Sequence, residues 1–374
     1  MTQEIPSCKR FSGYKPCFPD HNCWEDGCKD NIPVGVKILI INLDAMGDVL
    51  MTTAQLPALK RKFPESTVYW LTMKNAAPLL YNNPIVDHIF VFDASSILIL
   101  QQMRFDYVMN VDKSQQSCAL LNSIEAENKL GFGLNSDGII IPVNEGAYYN
   151  YQLGMDDQFK FKVNQRTGQD YLAETFKLDY RRDEYVFEFT EEEKNFIESY
   201  KKKVGIKKND KVIGFNTGCS ELYPNKKMTI EQHVFLIKKL LKKKFKVVLL
   251  GGPEDTLRNK KIYSHFKGKV INTPTNEGLR RGICYEDIAN VIVTGDSLGM
   301  HIAIALKKFV IAWFGVSCWN EIDLYERGVK LYQKDLFCSP CWKKLCPYDL
   351  DCIKQIDLER MISEIENYFR KKVR

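Results

Sequence analysis

Short apolar runs alternate along most of this chain with longer stretches whose apolar positions recur at helical period. Val36–Ile41 is almost continuously apolar, the character of a strand buried on both faces of a parallel sheet. The loop Asn42–Met46 leads to Gly47-Asp48 and then a helix running to about Phe63. Thr67–Thr72 reads as a strand and Asn75–Tyr81 as a helix. His88–Phe92 and Asp106–Val111 continue the strands. The alternation restarts downstream. Val212–Asn216, Lys246–Leu250, Val291–Thr294 and Phe309–Phe314 read as strands. Ile230–Lys244, Glu254–His265 and Ser297–Leu306 read as the helices between them. Such a series predicts α/β architecture with doubly wound sheets.

Two series in 374 residues imply two Rossmann-like domains facing each other across a cleft. The boundaries read as a Cys-rich extension over 1–35, a first domain over 36–185 and a second over 186–352. The remainder, 353–374, holds a last helix, Leu358–Lys371, expected to pack back on the first domain. The charged stretch Tyr180–Glu193 is the expected crossing between them. With 45% hydrophobic and 27% charged residues, the balance excludes disorder, collagen and coiled coil. No run approaches the roughly eighteen apolar residues of a membrane span. The polar start MTQEIPSCKR lacks a secretory core, so a cytoplasmic protein is expected.

Net charge is +6, unevenly spread. Residues 1–200 hold 19 Lys and Arg against 28 Asp and Glu; residues 201–374 hold 34 against 19. The second half therefore suits an anionic ligand, although Lys238, Lys239, Lys242, Lys243 and Lys244 also read as one solvated helix face. No nucleic-acid motif accompanies the charge. The basic end Arg370–Arg374 offers a peripheral contact with an anionic membrane surface, or a solvated tail.

Ligands of open α/β sheets bind beyond the carboxyl ends of strands, which selects three loops. Asp48 opens a helix directly after the first strand. Such a carboxylate either caps the helix or serves as a general base, kept ionised by the helix terminus. Gly295–His301 ends a strand and opens a helix, whose free N–H groups suit a diphosphate; Ser297 also reads as its N-cap. Asn216-Thr217-Gly218, followed by Lys226 and Lys227, supplies a hydroxyl, a flexible turn and ammonium partners for phosphate.

Together these segments resemble glycosyltransferase family nine, the bacterial ADP-heptose heptosyltransferases of lipopolysaccharide assembly. The ordered set ILIINLDAMGDVLMTTAQLPALKRKFP, NTG with KKMT, and GDSLGMHIAIAL carries the likeness across residues 36–356. The resemblance implies a GT-B fold and inversion at the anomeric carbon without a metal held by a DxD motif. The match Asp349-Leu-Asp351 lies inside a cysteine group and is discounted. By resemblance Asp48 is the base, and Lys226 with Thr217 meets the donor phosphates. Asp296 meets the donor sugar, Ser297, Leu298 and Gly299 the diphosphate, and Glu254 the nucleoside; His301 joins the donor site. Met228 departs from the Trp common in the family, which leaves Lys226 and Lys227 interchangeable in the alignment. The implied partners are ADP-heptose and a surface-glycan acceptor such as lipopolysaccharide core, at the inner face of the cytoplasmic membrane. A protein (autotransporter) acceptor, and a non-catalytic assembly protein built as an oligomer on the same scaffold, are the alternatives.

Eight of the twelve cysteines form two groups. Cys338, Cys341, Cys346 and Cys352 have the spacing of four thiolates on one structural zinc or iron ion, or are free thiols. Autotransporter heptosyltransferases, which resemble the family, carry an iron-binding finger. Cys8, Cys17, Cys23 and Cys28, with His21 as a competing ligand, suggest a second metal site, or a tail that is disordered or ordered by a partner. Cys118, Cys219, Cys284 and Cys318 read as small buried hydrophobes.

Overall fold

The computed structural model describes residues 5–18, 22–23 and 28–371. His21 and the last three residues of the basic end, 372–374, lie outside them. The chain forms two compact units, and each is assembled from several segments. The first comprises 1–44, 54–151 and 171–183; the second comprises 45–53, 152–170 and 184–374. The expected single crossing near residue 185 is thus replaced by repeated exchanges. The segment carrying Asp48 counts with the second unit, not the first.

The first unit is built on six strands: β1 (Val36–Ile41), β2 (Ser66–Thr72), β3 (His88–Val91), β4 (Arg104–Asn110), β5 (Glu125–Leu134) and β6 (Ile140–Pro142). Their order is β3-β2-β1-β4-β5-β6, parallel except for the β5–β6 hairpin. Sequence periodicity missed that hairpin, because Glu125–Lys129 is mostly polar and exposed. Leu39, Ile41, Leu71, Phe105 and Val108 make the core of this unit. Lys9 ties the N-terminal extension to it through an ion pair with Asp87 at 3.2 Å.

Six parallel strands build the second unit: β7 (Val212–Asn216), β8 (Lys246–Leu250), β9 (Ile271–Asn272), β10 (Val291–Gly295), β11 (Phe309–Trp313) and β12 (Gly328–Leu331). The order is β12-β11-β10-β7-β8-β9. The direction in which successive strands are added reverses between the parallel neighbours β7 and β10, which places the carboxyl ends of those two strands at the switch point where such sheets bind ligands. In each sheet the strand run is the doubly wound one.

Departures from the expected helices have local causes. The helix after β1 ends at Thr52, tightens through Thr53–Gln55 and resumes as Leu56–Lys62. Pro57 has no N–H to continue the ladder, so the break falls just before it. Pro78 likewise leaves only a short 3-10 turn at Ala77–Leu80. The last helix, Leu358–Lys371, buries Met361, Ile362, Ile365 and Phe369 in the core of the second unit, among Leu236, Leu240 and Ile311. The expectation that it packs on the first domain is corrected here. Its acidic face also meets the lysine-rich helix Ile230–Lys242: Lys239 pairs with Glu359 at 3.0 Å, and Lys243, just beyond that helix, with Glu366 at 2.7 Å. Those two lysines are therefore not simply solvated. Among the described residues, no helix is long and apolar enough to cross a membrane.

Candidate active site

Strand β7 ends at Asn216 and β10 at Gly295, and the loops beyond them approach closely. A Cβ on Gly299 would lie 1.4 Å from Asn216 Nδ2, so the Asn216 side chain occupies the space that any larger residue at 299 would need. Asn216 Nδ2 donates to Ser297 Oγ at 3.3 Å. Ser297 stands at the N-cap but its hydroxyl caps nothing. The helix therefore begins with backbone amides rather than a side chain, with Leu298 and Gly299 in its first turn.

Lys226 and Asp296 meet at 2.6 Å, each side chain 13% exposed. Of the two adjacent lysines, Lys226 is the one whose ammonium reaches the β10 loop. The backbone at Lys226 is held by Trp313, whose Nε1 donates to the Lys226 carbonyl at 2.8 Å. Its Nζ lies 4.4 Å from the Trp342 ring centroid and 5.6 Å from that of Tyr223, a cation bracketed by two π faces. Burial alone would raise the Asp296 pKa, but Lys226 and His301 outweigh it and hold the carboxyl below its ordinary value.

The helix Met46–Thr52 packs on the helix Leu298–Ala305, both within the second unit. Contact is close at Gly47, where an added Cβ would come 2.7 Å from His301 Cδ2 and 3.2 Å from its Nε2. Asp48 follows. Its carboxyl is open to solvent, and Oδ2 accepts weakly from the Ala45 N–H at 3.4 Å, so part of the capping role is real. Protein crowded around it partly desolvates the carboxylate and raises its pKa. His301, the Ala45 N–H and Lys226 pull the other way, while Asp296 adds to the rise. The sequence expectation was a helix terminus holding Asp48 ionised; the net direction is upward because desolvation dominates. A carboxylate whose pKa is raised is a stronger proton acceptor when ionised. His301 is buried, and burial lowers its pKa despite Asp296 and Asp48 nearby.

Not every expected residue joins this cluster. Thr217 is fully buried, and its hydroxyl donates to Asn259 Oδ1 at 2.5 Å, which removes it as a donor-binding hydroxyl. Glu254 is exposed on the turn Pro253–Asp255 after β8, in position to be reached from solvent. Its neighbour Asp255 takes the buried place, accepting from the Gly252 N–H at 3.0 Å and filling the space that a Cβ on Gly218 would need. Sequence reasoning missed Tyr223, Trp342 and Asp255, and gave Asn216 no role of its own. An aromatic three residues before the lysine was the one available signal, for Tyr223.

The cysteine expectations fare less well. All four N-terminal thiols line one cavity of about 150 Å³. In the C-terminal group, Cys346 Sγ accepts from the Tyr348 and Leu350 N–H groups, while Cys352 is buried and its thiol pushed up to about 11. Yet among the described residues no three His, Cys, Asp or Glu side chains are arranged to hold a metal ion. The zinc or iron expected at Cys338, Cys341, Cys346 and Cys352, and at Cys8, Cys17, Cys23 and Cys28, is not matched by this geometry. Cys352 belongs instead to the hydrophobic core. Of the scattered cysteines, Cys118, Cys284 and Cys318 are buried as expected and Cys219 is half-buried.

The two doubly wound sheets have the architecture of the GT-B glycosyltransferases. The sequence pattern of glycosyltransferase family 9 (heptosyltransferase) matches residues 97–351, and the chain belongs to that family. It is 26% identical over 311 residues to lipopolysaccharide heptosyltransferase 1 of Campylobacter coli, covering 75% of this chain and 84% of that one. Among solved structures, the family 9 glycosyltransferase of Veillonella parvula superposes with a TM-score of 0.69 at 19% identity, over 89% of this chain and 96% of its own. E. coli ADP-heptose lipopolysaccharide heptosyltransferase II gives 0.66 at 18%, over 91% and 100%. The iron-containing dodecameric heptosyltransferase TibC, solved with ADP-D-β-D-heptose, gives 0.51 at 10%, over 90% and 77%.

Proposed function

We propose that this protein transfers a heptose from ADP-heptose to a hydroxyl of lipopolysaccharide core, with inversion at the anomeric carbon. The observation that carries the reading is the coupling of Asp48, His301, Asp296 and Lys226 in one cluster of the second unit, in a chain of the heptosyltransferase family. The Campylobacter relative supports the lipopolysaccharide acceptor over a protein or an assembly role.

In this reaction Asp48 removes the proton of the acceptor hydroxyl as its oxygen attacks the anomeric carbon. The bond from that carbon to the ADP oxygen breaks, and its electron pair stays on the departing β-phosphate. Lys226 supplies the positive charge that meets it, in a site where partial burial strengthens the interaction. Asp296, which pairs with Lys226 in the resting state, accepts hydrogen bonds from the donor sugar in this reading. In this reading the amides opening the helix Leu298–Ala305 bind the diphosphate and Glu254 meets the nucleoside; an uncapped helix start supports the first of these roles. The reaction takes place in the cytoplasm, at the inner membrane face where such acceptors are assembled. The test is release of ADP from ADP-heptose in the presence of heptose-deficient core oligosaccharide, with GDP- and UDP-sugars as controls. ADP release that depends on the acceptor supports the reading; turnover confined to another nucleotide sugar overturns it.

A further inference from the structure

Behind Asp48 lies a buried contact that the proposed mechanism does not use. Tyr185 is 4% exposed and His301 6% exposed, and the Tyr185 hydroxyl lies 3.1 Å from His301 Nδ1 with the rings near-parallel at 15°. The opposite edge of the imidazole, Cδ2 and Nε2, faces Gly47, the residue before Asp48. Tyr185 is itself fixed. Its ring packs edge-on against Tyr325, whose hydroxyl accepts from Gln169 Nε2 at 3.2 Å. The next residue, Val186, donates its N–H to Thr53 Oγ1 at 3.0 Å, and that hydroxyl donates to the Leu50 carbonyl at 2.6 Å. The segment bearing Tyr185 is thereby clipped to the end of the helix that carries Asp48.

We propose that Tyr185 is a positioning residue that donates its hydroxyl to Nδ1 and so holds His301 in the Nε2–H form, with that N–H on the Asp48 side. Two facts fix the direction of the bond. The phenol, buried and close to Tyr325, Asp48, Asp323 and Asp296, keeps its proton far above neutral pH. His301, buried, is neutral there, so one nitrogen accepts and the other donates. A hydroxyl at Nδ1 and carboxylates on the far side favour acceptance at Nδ1 and donation at Nε2. The charged or titratable groups facing the imidazole are Asp296, Asp48, Lys226 and Tyr185. A fixed Nε2–H dipole stabilises the Asp48 carboxylate without the full cation that would drain its basicity. The proposal rests on Asp48 being the base.

Tyr185→Phe keeps the ring and deletes the donor. Nδ1 is then free to take a second proton, His301 becomes more basic, and its cation pulls the Asp48 pKa down. The expected result is about a tenfold fall in kcat with the KM for ADP-heptose within about twofold. The acidic limb of the rate–pH profile should also move to lower pH. An unchanged limb and unchanged kcat in Tyr185→Phe, in a background where Asp48→Asn is inactive, overturns the positioning role and leaves the base reading standing. Full turnover in Asp48→Asn overturns the base reading instead. A readout independent of turnover comes from 15N-labelled histidine in the full wild-type chain, which has five histidines. The His301 resonance should show a proton on Nε2 and none on Nδ1; the reverse pattern overturns the proposal whatever the variants do.

Discussion

Lys226 holds Asp296 at 2.6 Å while resting on the face of Trp342, and the two contacts do different work. The ion pair keeps both charges tolerable in a poorly solvated place; the ring fixes where the ammonium points. An arriving diphosphate competes with Asp296 for that ammonium. Lys226→Ala should therefore weaken donor binding and slow turnover by at least tenfold, roughly 1.4 kcal/mol, read from kcat/KM for ADP-heptose. A smaller loss than that produced by Lys227→Ala would move the phosphate role to Lys227. Asp48→Asn, which preserves shape and removes basicity, should cut kcat by about 10² or more with ADP affinity nearly unchanged. The pH dependence has a definite sign. Desolvation raises the Asp48 pKa, so activity rises with pH as the carboxyl ionises, with a midpoint above the ~3.9 of a free aspartate. An acidic midpoint at or below that value would argue against Asp48 as the base.

Strands β1, β7 and β8 have the bounds read from the sequence, because each is a nearly unbroken apolar run between polar residues or glycine. The site was legible to the extent that it sits at strand ends: Asp48, Lys226, Asp296 and His301 come together as short-range loop signals suggested. The role of Thr217 was misread because a buried hydroxyl and an exposed one look alike in sequence; only Asn259 on the following helix decides between them. Trp342 escaped notice because its partner Lys226 lies far along the chain, and Tyr223 because an aromatic three residues before a lysine is a weak signal by itself. Two consequences belong to whole elements. Gly299→Ala should destabilise the protein by about 1–3 kcal/mol through overpacking against Asn216, and Asn216→Ala in the same chain should restore part of the loss; chemical denaturation reads both. Ile365→Ala, on the buried face of the last helix, should cost about 2–5 kcal/mol. Melting unaffected by that change would mean the last helix contributes little to the second unit.

For the molecule as a whole, a donor nucleotide that binds the folded state alone must raise its melting point. ADP at about a hundred times its Kd should add about 2.7 kcal/mol, and Lys226→Ala should shrink the shift at the same ADP concentration. Equal shifts in both proteins would place the nucleotide away from Lys226.

The compact bodies of this enzyme are interleaved along the chain, changing hands at residues 44/45, 53/54, 151/152, 170/171 and 183/184. No single cut yields either one whole. A fragment starting near residue 186 would lack Ala45–Thr53 and leave the helix Leu298–Ala305, buried at Gly299 through Ala305, without one of the elements packed on it. Chimeras that exchange halves between relatives at the apparent midpoint would pair an Asp48 helix from one parent with a His301 helix from the other. Recombination within this family should accordingly succeed when Ala45–Thr53 and Gln152–Asp170 travel with the C-terminal half. It should produce poorly soluble protein when they do not, with solubility of matched and mismatched chimeras deciding the matter.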